Sequence, residues 1–174
     1  AYLNANADFG IAYVGGTFAY LGGQINPGES SLHTRKTGIL SGGIDWNPML
    51  ILWNYERSYQ FGALSGNTTD GVGSNPNGMQ NAWFFQVKGG VKPVEKLDIN
   101  LAVSYANAVV KPANHLYNDY GWELDATATY KITNNLSYML GAGYLFTGKY
   151  FKTTSDATEL QNDYMLINKL TLTF

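Results

Sequence analysis

The chain has 174 residues, enough for one domain, with a formal net charge of −2 and no cysteine. These figures exclude a disulfide framework and a thiolate metal site, and with no basic stripe in the sequence they give no argument for nucleic acid, which is not expected as a partner. Charged residues make up only 14%, against about 25% in ordinary soluble domains, and the 20 glycines and 13 tyrosines fit a surface that faces lipid, with tyrosine at its interfaces.

No stretch suits a membrane-spanning helix: the longest aliphatic or aromatic run is Met49 to Trp53, and a spanning helix needs roughly 20 such residues. The mean hydropathy of −0.18 does not weigh against a membrane, because half of each barrel strand is polar. No secretory signal precedes Ala1, as expected of a processed or truncated chain.

From the start, Leu3, Ala5 and Ala7 alternate weakly with Tyr2, Asn4, Asn6 and Asp8, and Asp8-Phe9-Gly10 reads as a tight turn. Ile11 to Ile25 is a Gly-rich strand candidate with Val14, Phe18 and Tyr20 on one face. Asn26 to Gln80 reads as one long excursion, or as one hiding a strand pair that turns at Asn47-Pro48. From Asn81 the alternation is clean. Trp83, Phe85, Val87 and Val91 oppose Phe84, Gln86, Lys88 and Lys92. After a short charged turn at Pro93 to Lys96, Leu97, Ile99, Leu101, Val103 and Tyr105 oppose Asp98, Asn100, Ala102 and Ser104. Lys111 to Asn118 reads as a loop.

Tyr120, Trp122, Leu124, Ala126, Ala128, Tyr130 and Ile132 then oppose Gly121, Glu123, Asp125, Thr127, Thr129 and Lys131. Asn134-Asn135 reads as a two-residue hairpin turn. Beyond it Leu136, Tyr138, Leu140, Ala142, Tyr144, Phe146 and Tyr150 oppose Ser137, Met139, Gly141, Gly143, Leu145, Thr147 and Lys149. Thr153 to Leu160 is the last loop. In the final strand Tyr164, Leu166, Asn168, Leu170, Leu172 and Phe174 oppose Asp163, Met165, Ile167, Lys169, Thr171 and Thr173. Ten steps of roughly 3.3 Å, tilted by about 40°, climb about 25 Å, the height of the apolar band of an outer-membrane barrel.

Short turns alternate with long loops, so the sequence predicts an all-β antiparallel transmembrane β-barrel filling residues 1–174 as one domain, with a long outer loop over 26–80. Trp83, Phe85, Tyr120, Trp122, Tyr150 and Tyr164 fall at the outer interface of this barrel and Tyr130, Tyr138 and Phe174 at the inner one, giving two aromatic girdles. Counting the first strand gives about seven strands, whereas bacterial single-chain barrels have even numbers. Two arrangements satisfy that parity: the C-terminal part of a larger barrel, which we favour, or a complete eight-stranded barrel that drops the first strand and adds the hidden pair.

DFGIAYVGGTFAY (Asp8 to Tyr20), DWNPMLILWNYE (Asp45 to Glu56), GGVKPVEKLDINLAVSYA (Gly89 to Ala106) and YGWELDATATYKITNNLSYMLGAGYLFTGKYF (Tyr120 to Phe151) resemble the C-terminal halves of alginate-export-type porins. The resemblance covers most of the chain, but it lies in barrel strands and turns. It implies an outer-membrane channel in which Asp45 to Glu56 belongs to a long outer loop folding toward the pore, with strands N-terminal to Ala1. The alginate substrate does not transfer, because no basic carboxylate-binding lining can be matched. The terminal Phe174 also resembles the C-terminal signature that the outer-membrane assembly machinery reads.

The expected pore wall carries Lys88, Lys92, Asp98, Glu123, Asp125, Lys131, Lys149, Asp163 and Lys169, whose opposed charges would orient polar solutes; the plainer reading pairs them across strands. Glu123 and Asp125 have no activated partner for acid–base work, and His33 and His115 read as solvated loop residues without convergent metal ligands. Ser58 and Ser65 lack a nucleophile context, and Asp70 to Asn77 lacks calcium-loop spacing. No catalysis, cofactor or metal is expected. The sequence predicts a passive outer-membrane porin for small polar solutes or ions. Its partners would be the bilayer, lipopolysaccharide, the assembly machinery, and a homo-oligomer or envelope component. The alternatives are a non-conducting barrel serving as sheath or anchor for a redox carrier or surface structure, and a soluble lipocalin-like carrier, which would need its apolar face inside.

Overall fold

The computed structural model describes residues 1–22, 48–54, 81–111, 115–152 and 154–174. Among the described residues the strands are β1 (Tyr2–Asp8), β2 (Ala12–Leu21), β3 (Ala82–Val94), β4 (Leu97–Asn107), β5 (Asp119–Lys131), β6 (Leu136–Thr147) and β7 (Asp163–Leu172), with a 3₁₀ turn at Lys149–Lys152. All seven join a single sheet in chain order, and each adjacent pair is antiparallel. The sheet is open, with β1 and β7 at its two edges. The strand pair considered within Asn26 to Gln80 lies outside the described residues, except that 48–54 form no strand.

Local chemistry sets the connections. The Asp8 carboxylate accepts from the Gly10 amide at 2.8 Å, and Gly10 takes φ +87°, so the short β1–β2 turn depends on a residue without Cβ. The β5–β6 connection differs from the two-residue hairpin expected at Asn134-Asn135. It spans 132–135, and the amides of Ile132 and Thr133 both donate to the Leu136 carbonyl, at 2.9 and 3.1 Å. A two-residue type I′ turn needs φ > 0 at both central residues, and neither asparagine adopts it.

Because the register is continuous, alternation in the sequence becomes rows across the sheet. On one face Phe18, Phe85, Tyr105, Trp122 and Phe146 form a row near the long-loop end. Val14, Gly89, Leu101, Ala126, Ala142 and Leu166 run across the middle, and Leu97, Tyr130, Tyr138 and Leu170 lie near the short turns. These large side chains are not packed in a dry interior: Val103, Leu140 and Leu170 are 43%, 55% and 64% exposed. The opposite face carries Asn4, Thr17, Gln86, Ser104, Glu123, Leu145 and Asp163 in one row, and Asn6, Gly15, Lys88, Ala102, Asp125, Gly143 and Met165 in the next.

A bulge breaks the alternation once in β5. The β4–β5 register passes from Ala106↔Gly121 to Asn107↔Asp119, leaving Tyr120 without a partner on β4. Gly121 has φ +116°, and a Cβ there would lie 2.2 Å from the Phe146 carbonyl oxygen. The extra residue turns Tyr120 onto the polar face, where it is fully buried. Tyr120 is therefore not part of an outward aromatic girdle. Tyr150 leaves that set for a related reason: β6 ends at Thr147, and the 3₁₀ turn that follows buries the Tyr150 ring.

Candidate functional site on the polar face

Met49, Leu50, Ile51, Leu52 and Trp53 are buried, and with Phe84, Ala106, Tyr120, Leu145 and Tyr150 they form the main apolar cluster. This core lies between segment 48–54 and the long-loop half of the polar face. An apolar segment thus seats on the face of the sheet that carries the carboxylates.

Segment 48–54 forms no helix or strand, so its amides need partners elsewhere. Ile51 N donates to Glu123 Oε1 at 2.6 Å and Leu52 N to Glu123 Oε2 at 2.8 Å. Leu50 N donates to Asp125 Oδ2 at 3.2 Å. The Gln86 side-chain amide donates to the Pro48 carbonyl and, at 3.0 Å, to Ser104 Oγ. Asn54 Nδ2 donates back to the Met49 carbonyl at 2.8 Å and closes the turn. Two glycines of β6 leave room for the apolar side chains. A Cβ on Gly143 would meet Asp125 Oδ1 at 2.8 Å, Leu50 at 3.2 Å and Ile51 at 3.3 Å, and one on Gly141 would meet Ile167 at 3.0 Å and Leu50 at 3.2 Å. Trp53, at φ 36°, sets its ring edge-on to Tyr120 at 5.5 Å.

The energetics show which contacts matter. Burying five such side chains gains about 1.5–3 kcal/mol each, while fixing the backbone of seven residues costs about 1–2 kcal/mol each. These nearly cancel. The hydrogen bonds to the two carboxyl groups, about 0.5–1.5 kcal/mol apiece, therefore decide whether the segment stays seated.

Around the core the long-loop end is tied together by further contacts. The Tyr120 hydroxyl donates to the Asn81 carbonyl at 3.0 Å. Asn81, at φ 54°, gives its side-chain amide to Val110 O and takes Val110 N, both at 2.9 Å. His115 stacks on Tyr150 at 3.9 Å, and its Nδ1 lies 2.9 Å from the Tyr150 carbonyl. It is a buried packing residue rather than the solvated loop histidine expected. Outside the core, the Tyr117 hydroxyl donates to Asp156 at 2.8 Å, and Lys152 lies 3.5 Å from the same carboxylate. The Tyr117 bond first, with Lys152 behind it, holds the Asp156 carboxyl below its usual range, and the same bond raises the Tyr117 hydroxyl.

The residues expected on the pore wall separate into three groups. Glu123 and Asp125 are on the polar face but buried beneath segment 48–54. Lys88, Asp98, Lys131, Asp163 and Lys169 lie on the same face at register positions clear of the three amide donors. Asp98 accepts from the Tyr13 hydroxyl at 2.7 Å, and Lys92 stands over the Tyr13 ring at 5.3 Å. Lys149 belongs to the 3₁₀ turn, not to a strand wall, and stands over the Tyr117 ring at 5.2 Å. Of the aromatics, Phe85, Trp122, Tyr130, Tyr138, Tyr164 and Phe174 are exposed, and Trp83 packs against Tyr105 at 5.3 Å. Tyr105 in turn meets Trp122 at 4.8 Å.

Sequence reading missed the seat itself: Gln86, Gly141 and Gly143 carried no individual signal. The cue was the apolar run Met49 to Trp53 inside an otherwise polar excursion. His33, Ser58, Ser65 and Asp70 to Asn77 lie outside the described residues.

No family model, curated protein or solved structure matches this chain. By its own coordinates it is an all-β protein built on one seven-stranded antiparallel open sheet. One face of that sheet is apolar and exposed, and the other is polar and carries an inserted segment.

Proposed function

We propose that the sheet forms part of a closed outer-membrane β-barrel, lipid-facing on its apolar side, that acts as a passive diffusion channel for small polar solutes or ions. The observation that carries this reading is the exposed apolar face, with aromatic residues at both its ends and aliphatic ones between. In water such a face is far larger than a soluble monomer tolerates; in a bilayer it is what a barrel presents. A lipocalin-like carrier fits poorly, because its apolar face would line the interior, whereas here the inserted segment is hydrogen-bonded to the polar one.

Lipid leaves no room for open edges, so the reading requires closure between β1 and β7. Both strands run from the long-loop end to the short-turn end, since an even number of antiparallel steps separates them. Direct pairing would be parallel. An all-antiparallel barrel therefore takes an odd number of further strands between them, which favours a larger barrel over closure of these seven alone. The same logic opposes a ring of identical copies, whose seams would each be parallel. The bilayer, lipopolysaccharide and the outer-membrane assembly machinery are the partners that go with this reading.

A second reading is favoured by the depth at which Leu52 and Trp53 are buried: a barrel shut by its own segment and serving as sheath or anchor for another envelope component. Planar-bilayer recording separates the two. The channel reading expects discrete conductance steps from purified protein whose barrel is folded by heat-modifiable mobility. A folded barrel that never conducts leaves only the sheath. A monomer that stays in solution without detergent removes the membrane from both.

A further inference from the structure

Taking the channel reading as its basis, we propose that Glu123 and Asp125 are positioning residues: they latch segment 48–54 across the polar face and so set the bore. Two carboxylates one step apart on the same strand face would ordinarily be read as a charge filter in water. Glu123 is instead fully buried, with one oxygen engaged by Ile51 N and the other by Leu52 N. Asp125 takes the next donor, Leu50 N. Three consecutive backbone amides aimed at one wall is a pattern that a strand or the interior of a helix cannot offer, because there the donors alternate or are used internally. The wall thus supplies the acceptors that an irregular segment lacks.

The rest of the seat matches this role. Gly141 and Gly143 leave bare backbone where Leu50 and Ile51 press. Gln86 holds the Pro48 carbonyl at one end of the segment, and Tyr120, turned inward by the bulge, meets Trp53 at the other. The apolar side chains would pack on any greasy wall; only the acceptors fix where the backbone lies. Without them three amides would be buried unpaired, and the segment would leave the wall.

The chain has no cysteine, so Leu52→Cys in the intact protein is a single reporter of seating. We expect it to react slowly with a membrane-impermeant maleimide. Adding Glu123→Met with Asp125→Leu, which removes every acceptor oxygen at near-constant volume, should speed that reaction at least tenfold and raise single-channel conductance, while heat-modifiable mobility stays unchanged. Glu123→Asp, which keeps the carboxylate, should fall between. Fast labelling of Leu52→Cys alone, or a rate and conductance unmoved by the double substitution in a folded barrel, overturns the latch. If the double variant does not fold, Gly143→Ala serves instead. Its methyl would press on Asp125, Leu50 and Ile51 and should unseat the segment with both carboxylates in place; an unchanged labelling rate there refutes the proposal. A protein that conducts in neither the seated nor the unseated state sinks the channel reading, while the labelling rates still decide the latch.

Discussion

Replacing Leu101 by arginine puts the membrane reading to a quantitative test. Leu101 sits near the middle of β4, between Ile99 and Val103 on the exposed face, and is 63% exposed. It makes no core contact, so in water the substitution should stay within about 0.5 kcal/mol, as for most surface sites. At the midplane of a bilayer the same arginine costs about 2–4 kcal/mol, falling to about 0–1 kcal/mol near an interface. Leu172, at the short-turn end of β7 and 56% exposed, supplies the matched rim position. Leu101→Arg should therefore lose roughly 30- to 700-fold in the folding equilibrium at tenfold per 1.4 kcal/mol, and Leu172→Arg no more than about fivefold. Denaturant titration of the reconstituted protein in liposomes, followed by tryptophan fluorescence, measures both. Equal, small effects at the two positions would refute a lipid-facing wall.

Three further outcomes follow from the geometry. Gly121→Ala should destabilise the protein by at least about 2 kcal/mol, because a side chain at φ +116° is strained and its Cβ meets the Phe146 carbonyl; a loss below about 0.5 kcal/mol in thermal unfolding would remove the bulge from the account. Asn81→Ala should cost about 2–4 kcal/mol, since it breaks both bonds to Val110 and leaves alanine in a left-handed conformation; an unchanged denaturation midpoint contradicts this. The Asp156 carboxyl is lowered in the folded state, so its clip to Tyr117 should be intact at neutral pH and open as pH falls through that depressed value, below the usual carboxylate range near 3.9. Tyr117→Phe should move the Asp156 titration upward in NMR, and a titration that does not move shows that the hydroxyl is not the cause.

The sheet was legible in the sequence because period-2 alternation is both its local signal and its packing rule. Which residues of β4, β5, β6 and β7 share a face follows from parity alone, and the coordinates place Val103, Leu140 and Leu170 outward accordingly. Parity misled only where the backbone departs from it. The bulge at Gly121 reverses Tyr120, and the end of β6 at Thr147 removes Tyr150 and Lys149 from the strand pattern. Glycine at a bulge and glycine in a strand look identical in sequence. The seat was less legible for another reason. Glu123 and Asp125 read as charges facing water, and only a segment some 70 residues away in the chain makes them acceptors for buried amides. Such long-range pairing leaves no periodic trace.

The co-directional edges have a consequence for how this sheet must be handled during folding. Left uncovered, each rim would offer a row of main-chain groups to any passing strand, and neither can quench the other in the preferred antiparallel sense. Nucleated with both rims bare, the sheet would recruit its own kind into fibrils or amorphous deposits. Should the sheet belong to the barrel proposed above, its survival would depend on escort by holding chaperones until both rims are covered, before either finds a stray companion.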